Sequence, residues 1–353
     1  MPEASGLGGA DVALYVTEFT NWGTSDGRVL LYDRTGPVSQ VSVTGVMNPG
    51  LVWDETGLFF IDNQADYQVT DRLERRVRSR DASLLVGMRG GRDGRRVVLF
   101  NDGVYDGKNH TGIGIYQGAQ EISQQMLLDS DGMGLASCEH GLFVAGRNAK
   151  VGDDWSELVR LDPPGGGKPQ QVGDRHEGYF LDGFDTPCRD DHIVGLWRPD
   201  ETKYSMSLEV WQWNTRDGSV RRTPLRCDTG SFTLPEKALA SLSTMPRWLD
   251  GDGLVWVDNL GTGWRTDLST GMTTRIRDGL ILTGGPITNW ARVGDWLIGF
   301  EYLGDSEDAH LQIYSASDLS LVETRELPRL AELTPYDRMV LAIAVSPTFR
   351  PRT

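Results

Sequence analysis

The sequence predicts an all-β fold, a seven-bladed β-propeller with four-stranded blades. Three observations support this prediction: an apolar run of four or five residues that recurs seven times, turns rich in glycine and aspartate beside many of these runs, and almost no helical periodicity. The runs begin at residues 14, 58, 97, 142, 193, 254 and 297. A period of about 40–50 residues with four strands in each unit is typical of propeller blades.

Each recurrent run is assigned to the second strand of its blade. The seven runs are residues 14–18, 58–62, 97–101, 142–146, 193–197, 254–258 and 297–301. Hairpin turns such as 55–57 and 251–253 precede them, with glycine and aspartate where a positive φ is needed. A third strand follows, as in residues 28–33. A second turn, as in 267–271, leads to a polar fourth strand such as 272–276, which suits an exposed sheet edge.

The N-terminal blade contains only its second, third and fourth strands. Residues 339–345 supply the missing first strand, so we expect the C-terminal strand to close the ring. The whole chain, 1–353, is then one domain. The expected blades are residues 12–45 with 337–346, 50–79, 83–128, 133–173, 178–228, 241–278 and 286–327. The alternative is six blades with an appendage, because residues 83–128 form the least regular unit.

The repeats resemble those of known bacterial propellers. Leu14-Tyr15-Val16-Thr17-Glu18, followed by the run from Gly27 to Asp33, looks like the repeats of YVTN/NHL-like propellers. The Asp-x-x-Thr-Gly turns look like those of PQQ-type and YVTN propellers. The resemblance implies a fold and transfers no catalytic motif, since propellers host binding, hydrolysis, lysis and scaffolding alike.

Charge and composition exclude two classes of function. The chain carries 35 basic and 50 acidic side chains, a net charge of −15, which argues against nucleic-acid binding. No apolar run approaches the roughly 18 residues that a membrane span requires. The N-terminus lacks the features of a signal peptide. The chain is therefore either cytoplasmic or the mature part of an exported bacterial protein.

The three cysteines are expected to be free thiols. Cys188 and Cys227 are assigned to the innermost and outermost strands of one blade, roughly 14 Å apart at about 4.8 Å per strand. A disulfide requires Cα atoms within about 7 Å, so this pair is excluded. Cys138 faces Cys188 from the neighbouring blade, where a bridge is conceivable but not expected. Three free thiols fit a reducing compartment slightly better.

The predicted site is the face where the second strands end. Its ligand-binding candidates are Glu18, Trp22, Asp62, Arg147, Trp197, Arg198, Asp258, Asn259, Glu301 and Tyr302. Glu18, Asp62, Asp258 and Glu301 come from contiguous blades and are expected to form an acidic arc opposite Arg147 and Arg198. Carboxylates bind hard cations or ammonium groups, and arginines bind carboxylates or phosphates. The alternative is that these residues only end strands and cap turns.

Two functions are compatible with this face. The first is a binding module for a small polar or zwitterionic ligand, a peptide or a protein. The second is a lyase or hydrolase that uses carboxylates of the arc, with or without a divalent metal such as Ca²⁺. Its catalytic candidates are Glu18, Asp258, Glu301, His110 and His176, and its candidate metal ligands are Asp182 and Asp185. Binding is favoured because no nucleophile–base pair or familiar catalytic motif is found. His140 is set aside, since its hairpin turn lies on the opposite face.

Two short helices are also expected, one within residues 229–241 and one within residues 329–333. The first contains a proline followed by good helix formers, a typical helix start. Either segment could shape access to the predicted face.

Overall fold

A computed structural model describes residues 1–18, 26–46, 49–78, 85–91, 94–105, 108–128, 130–148, 155–163, 167–180, 186–198, 207–239, 246–280, 289–302, 309–334 and 338–352. Seven sheets, one for each predicted blade, contain nearly all of the described strands. The fold is a seven-bladed β-propeller, and the alternative of six blades is wrong.

The strands of each of the first three blades form one sheet, and those of blades 1 and 2 are antiparallel. Blade 1 contains β1 (Val12–Glu18), β2 (Asp26–Tyr32) and β3 (Pro37–Thr44). Blade 2 contains β4 (Leu51–Asp54), β5 (Gly57–Ile61), β6 (Ala65–Val69) and β7 (Leu73–Val77). Blade 3 contains β8 (Leu85–Gly90), β9 (Arg95–Tyr105), β10 (Lys108–Gln117) and β11 (Gln120–Leu128).

Blades 4 and 5 have shorter outer or inner strands. Blade 4 contains β12 (Ser130–Cys138), β13 (Gly141–Asn148), β14 (Trp155–Arg160), β15 (Gln170–Gln171) and β16 (His176–Glu177). Blade 5 contains β17 (Tyr179–Phe180), β18 (Cys188–Arg189), β19 (His192–Arg198), β20 (Glu209–Asn214) and β21 (Val220–Pro224). A separate hairpin, β22 (Arg226–Cys227) and β23 (Gly230–Ser231), is followed by helix α1 (Glu236–Leu239).

The last two blades are regular. Blade 6 contains β24 (Arg247–Asp250), β25 (Gly253–Val257), β26 (Gly263–Asp267) and β27 (Thr273–Arg277). Blade 7 contains β28 (Asn289–Val293), β29 (Trp296–Tyr302), β30 (Ala309–Ser315) and β31 (Leu321–Glu326). Helix α2 (Leu330–Leu333) and strand β32 (Arg338–Val345) follow. Both predicted short helices are therefore present.

The C-terminal strand completes blade 1, as predicted. β32 pairs with β1 in an antiparallel register that places Val345 opposite Val12 and Arg338 opposite Glu18. The sheet order is β3-β2-β1-β32, so β1 has a hydrogen-bonded neighbour on each side. All seven apolar runs identified in the sequence lie on or at the end of second strands, namely β1, β5, β9, β13, β19, β25 and β29.

Turns between third and fourth strands are fixed by aspartates that accept several local hydrogen bonds. In blade 6, Asp267 Oδ1 accepts bonds from the backbone N–H and hydroxyl of Ser269 and of Thr270, at 2.6–3.0 Å. These hydrogen bonds, led by the one from the Ser269 hydroxyl, lower the pKa of Asp267 to about 2. Gly271 closes the turn at a φ of 74°, a left-handed conformation that glycine adopts without a steric penalty.

The chain forms two compact units. The first comprises residues 1–90, 116–122 and 281–353, and the second comprises residues 91–115 and 123–280. In the first unit, the side chains of Leu14, Ile298 and Ile343 belong to one buried apolar cluster. In the second unit, one cluster contains Trp197 and Trp211, whose rings stack at 4.5 Å. Tryptophan thus contributes to the core of the blades.

A disulfide joins blades 4 and 5, which corrects the expectation of three free thiols. Cys138 at the end of β12 is bonded to Cys188 in β18, with the Cα atoms 5.3 Å apart. Inner strands of neighbouring blades thus come within disulfide distance although they belong to different sheets. Cys227 is a free thiol in β22, outside the outermost strand to which it was assigned. The argument for a reducing compartment therefore loses its basis.

The helices in the described part of the chain are too short and too polar to cross a membrane.

Candidate functional site

Asp62 follows β5 and is only 1% exposed. Its Oδ1 accepts hydrogen bonds from the backbone N–H groups of Gln64 at 2.8 Å and Ala65 at 2.6 Å. Its Oδ2 accepts bonds from the Thr44 backbone N–H at 3.0 Å and the Tyr67 hydroxyl at 2.7 Å. A carboxylate has about four acceptor positions, so these bonds saturate it. Asp62 therefore has the contacts of a turn residue.

Asp258 follows β25 and has the same kind of surroundings, with 2% of its surface exposed. Its Oδ1 accepts bonds from the backbone N–H groups of Leu260 at 2.8 Å and Thr262 at 3.0 Å. Its Oδ2 accepts a bond of 2.9 Å from the indole N–H of Trp264. Because these partners all lie within six residues, the local sequence alone fixes this carboxylate.

Asn259 and Trp197 also have contacts within the protein. The backbone N–H and the side-chain Nδ2 of Asn259 donate to the carbonyls of Ala238 and Lys237, each at 3.0 Å, so Asn259 holds the end of α1. Trp197 is completely buried. Its ring stacks on Trp211, which makes it a core residue of blade 5.

Glu301 is the described carboxylate of the predicted arc with the fewest hydrogen bonds. Its Oε2 accepts a single long bond, 3.4 Å, from the Gln312 side chain, and within the described part of the chain Oε1 has no hydrogen-bond partner. Arg198 is half-buried at the end of β19. Both residues keep the position that the sequence predicted, at the ends of second strands.

The two candidate catalytic histidines lie in different blades. His110 is half-buried in β10. His176 lies in β16, where its Nε2 is 2.9 Å from the carbonyl oxygen of Gly218. Since a carbonyl can only accept, Nε2 is the protonated nitrogen of this ring. The ring edge also packs against Trp211 and Trp213, at centroid distances of 6.2 and 5.5 Å, so His176 is held as a structural donor.

Several predicted site residues lie outside the described residues. They are the side chains of Glu18, Arg147 and Tyr302, and all of Trp22, Asp182 and Asp185. The acidic arc and the opposing arginine pair therefore stay predictions. In the part of the chain that the structure describes, no group of three or more His, Cys, Asp or Glu side chains could hold a metal ion.

A cavity of about 440 Å³ lies between blades 4 and 5, inside the second unit. A volume of this size falls within the roughly 300–1,000 Å³ of small-molecule sites. The cavity is lined by basic, amide and apolar side chains, and these are His140, Phe143, Arg160, Gln170, Gln171, Val172, Thr215 and Arg216. No Asp or Glu belongs to this set.

Arg216 is held on one side of the cavity by a buried carboxylate. Its Nε is 2.7 Å and its Nη2 is 2.5 Å from Asp191 Oδ2. His140 contributes Nε2, which is 3.2 Å from Arg216 Nη2 and 3.6 Å from Asp191 Oδ1. Asp191 itself is fixed because its carbonyl accepts bonds from the backbone N–H and hydroxyl of Thr215, at 2.8 and 3.0 Å. We call His140, Asp191 and Arg216 the inter-blade cluster.

The position of Asp191 follows from local backbone chemistry. Asp190 and Asp191 form the two-residue loop between β18 and β19, with φ values of 48° and 61°. Two consecutive positive φ angles define a type I′ hairpin turn, and aspartate tolerates this conformation better than most residues. The turn thereby places a carboxylate next to the partner loop of the neighbouring blade, which carries His140.

Arg160 is held on the other side of the cavity. Its Nε donates to the carbonyl of Asp162 at 3.2 Å, and its Nη2 donates to the carbonyl of His140. The Asp162 carboxylate also pairs with Arg95 at 3.1 Å. The Arg160 guanidinium lies 5.7 Å from the centre of the Phe143 ring. These contacts fix the head group without a carboxylate entering the cavity.

Both guanidinium groups keep donors for a ligand. In the described part of the chain, Nη1 of Arg160 and Nη1 of Arg216 have no hydrogen-bond partner. A guanidinium presents its N–H groups in a planar fork that fits carboxylate and phosphate oxygens. Phe143 and Val172 add an apolar surface to the same cavity. The arrangement can therefore bind a small organic anion.

Sequence analysis missed this cavity because it set His140 aside. Its turn lies at the end of the blade opposite the predicted face, and its partners Asp191 and Arg216 are 51 and 76 residues away in the chain. Charge gave no indication either, because each of the two turns, 139–141 and 215–218, also contains an acidic residue, Glu139 or Asp217.

Comparisons with known proteins show the fold of the chain and assign it neither a family nor a function. No protein-family model matches the chain, and no curated protein matches it. Solved structures do match. A functionally unknown protein from Desulfotomaculum acetoxidans is 11% identical with a TM-score of 0.55, over 94% of this chain and 98% of that chain.

Two further structures from Bacteroides are similar. A quinoprotein alcohol dehydrogenase-like protein from Bacteroides thetaiotaomicron is 9% identical with a TM-score of 0.54, over 95% of this chain and 91% of that chain. A provisionally assigned 6-phosphogluconolactonase from Bacteroides uniformis is 10% identical with a TM-score of 0.53, over 95% and 99% of the two chains. At these identities the likeness supports the propeller fold, including the resemblance to PQQ-type repeats.

Proposed function

We propose that the protein is a binding propeller that recognises a small organic anion, a carboxylate or a phosphate ester, in the cavity between blades 4 and 5. One observation carries the proposal. Two guanidinium groups, Arg160 and Arg216, line the cavity and are each held by an aspartate that lies outside the lining. Their orientation is fixed before a ligand arrives, which lowers the entropy cost of binding.

The charge balance around the cavity supports an anion as the ligand. Arg160 and Arg216 belong to the lining and no Asp or Glu does, although Asp162 and Asp191 pair with these arginines from outside the lining. The side chains that a ligand would meet in the cavity are therefore basic or neutral, whereas the protein as a whole carries a net charge of −15. A local positive potential in a recess attracts anions despite a negative net charge.

The same surroundings favour binding over catalysis. Thr215 is the one hydroxyl residue of the lining, and its hydroxyl donates to the Asp191 carbonyl at 3.0 Å. No serine or cysteine belongs to the lining, so the described residues offer no side-chain nucleophile beside His140. Recognition without covalent chemistry is what these groups can perform.

Isothermal titration calorimetry with citrate and with inorganic phosphate tests the proposal. We expect binding at low ionic strength that weakens as NaCl is added, because the contacts are charge–charge contacts. Arg160→Gln should weaken binding at least about tenfold, since a hydrogen bond to a charged group contributes about 1.5–3 kcal/mol. Arg277→Gln, the same change at an exposed position in β27, is the matched control and should bind as the unmodified protein does. Absence of binding by both anions in the millimolar range would contradict the proposal.

A second candidate is recognition of a zwitterion or peptide at the face where the second strands end. Glu301 favours it, because its carboxylate has the largest unused acceptor capacity among the described members of the arc. Titration with free glutamine tests this candidate. Loss of binding in Glu301→Gln, with binding retained in Glu326→Gln in β31, would support it, and equal affinities would eliminate it.

A hydrolase is the remaining alternative. One structural neighbour bears the name of a 6-phosphogluconolactonase, and a phosphorylated lactone is an anion that suits the proposed cavity. Proton release from 6-phosphogluconolactone in a weakly buffered solution distinguishes the two functions. Turnover that is lost in Arg160→Gln would establish hydrolysis, and saturable binding without turnover is the outcome we expect.

A further inference from the structure

Each cysteine of the Cys138–Cys188 disulfide lies next to a loop that carries a residue of the inter-blade cluster. Cys138 immediately precedes the two-residue loop that carries His140, because Cys138 is paired with Gly141 in the hairpin between β12 and β13. Cys188 precedes the loop that carries Asp191, since Arg189 is paired with His192 in the hairpin between β18 and β19. One covalent bond thus joins the bases of the two hairpins whose tips meet at the cluster.

Within the cluster itself the contacts between the two blades are weak, because only His140 reaches across from blade 4. His140 and Arg216 have side chains that are 49% and 66% exposed. Ion pairs of exposed side chains contribute about 0–1 kcal/mol and are screened by salt. Asp191 Oδ1 is buried and has no hydrogen bond within the described residues, with His140 Nε2 3.6 Å away. Blades 4 and 5 also share a buried apolar cluster that includes Ala136, Ile193 and Trp197. We therefore expect the disulfide to act locally, at the bases of the two hairpins, where its Cα atoms are 5.3 Å apart.

We propose that the Cys138–Cys188 disulfide positions the inter-blade cluster, so that the anion site reaches its full affinity only under oxidising conditions. The positioning of His140, Asp191 and Arg216 by the disulfide is argued from the geometry alone. The effect of the disulfide on ligand binding rests in addition on the proposed function. Cys138 and Cys188 are positioning residues, because neither belongs to the cavity lining. The protein would then work in an oxidising compartment, where such bonds persist.

The redox step is ordinary thiol–disulfide exchange. A small dithiol reduces the bond: its two thiols lose two protons and two electrons, Cys138 and Cys188 become thiols, and the dithiol becomes a cyclic disulfide. In the reverse direction, oxidised glutathione accepts the two electrons and the two protons and yields two molecules of reduced glutathione. Cys227 takes no part, since it is the free thiol in β22.

Hydrogen–deuterium exchange on the full chain tests the positioning role independently of any ligand. The double variant Cys138→Ser/Cys188→Ser is compared with Cys227→Ser, which removes a thiol away from the cluster. We expect amide exchange at least tenfold faster in the hairpins 138–141 and 188–193, with β25 and β26 of blade 6 unchanged. Unchanged exchange in the two hairpins would overturn the inference. A uniform increase throughout the second unit would show a general structural role and would also overturn it.

Citrate affinity measured on the same variants tests the dependence of binding. We expect about tenfold weaker binding in the double variant and after reduction with dithiothreitol, and no change in Cys227→Ser. Citrate affinity unchanged by removal of the bond would overturn the redox dependence. If the unmodified protein binds neither citrate nor phosphate while the hairpins respond in exchange, the proposed function fails and the positioning role stands.

Discussion

The turns after β5 and β25 differ from the inter-blade cluster in where their charged groups find partners. The oxygens of Asp62 and Asp258 accept hydrogen bonds from backbone N–H groups and aromatic side chains within six residues, with the addition of the Thr44 N–H for Asp62. Arg216 and His140 instead contact Asp191 from other turns, 25 and 51 residues away. In the first region, the carboxylates of Asp62 and Asp258 fix the backbone of their turns. In the second region, Asp191 fixes the guanidinium of Arg216, and Nη1 of that guanidinium stays available to a ligand. Only the second arrangement suits a ligand.

The largest expected effect is on stability, from Asp62→Ala. The substitution leaves the buried Ala65 backbone N–H and Tyr67 hydroxyl, and the partly buried Thr44 backbone N–H, without an acceptor. Each unsatisfied buried group costs about 1–3 kcal/mol, so we expect the free energy of unfolding to fall by at least about 3 kcal/mol. Urea denaturation measures it. Asp71→Ala, at an exposed position, is the control and should change the value by less than about 0.5 kcal/mol. A small loss for Asp62→Ala would show that this carboxylate is not structural.

An intermediate effect is expected on affinity, from Arg216→Lys. Lysine keeps the charge beside Asp191 and loses the planar guanidinium, which bonds Asp191 through Nε and Nη2 and keeps Nη1 for a ligand. We expect citrate to bind about tenfold more weakly by calorimetry, while the free energy of unfolding changes by less than about 1 kcal/mol. A stability loss as large as that of Asp62→Ala, with affinity retained, would reverse the distinction between the two regions.

The smallest effect concerns the exposed turn aspartates, a third kind of carboxylate. The pKa of Asp267 is lowered to about 2 by bonds from Ser269 and Thr270. A folded-state pKa below the unfolded value means that the contribution to stability is present above about pH 4 and is lost as the pH falls towards 2. Because the group is solvent-exposed, we expect this contribution to be less than about 1 kcal/mol. Urea denaturation at pH 5 and pH 2.5 should show a slightly smaller acid-induced loss in Asp267→Ala than in the unmodified protein. A larger loss in the variant would contradict the assignment.

The fold could be predicted because its determinants are local. Seven apolar runs and their turns mark the second strands, and counting strands assigns residues 339–345 to blade 1. The disulfide could not be obtained in this way. Whether Cys138 and Cys188 approach to 5.3 Å depends on how neighbouring inner strands are spaced, which strand order within a sheet does not determine.

The predicted site shows the same limit. An aspartate at the end of a strand has the same sequence context whether its oxygens face a ligand or the next backbone N–H groups. Asp62 and Asp258 belong to the second case. The cavity was missed for the complementary reason: its lining comes from segments around residues 140, 160, 171 and 215, and no periodicity connects them.

The pairing of β32 with β1 has a consequence for biosynthesis. β1 leaves the ribosome long before β32, the strand that covers one of its edges. Until β32 has been synthesised, the backbone groups along this edge of an apolar strand lack their partner, and such an edge readily pairs with other chains. The nascent polypeptide therefore has an open sheet edge for a long interval. A ribosome that stalls before residue 338 releases a chain in which β1 lacks this partner, and such a chain is prone to aggregate.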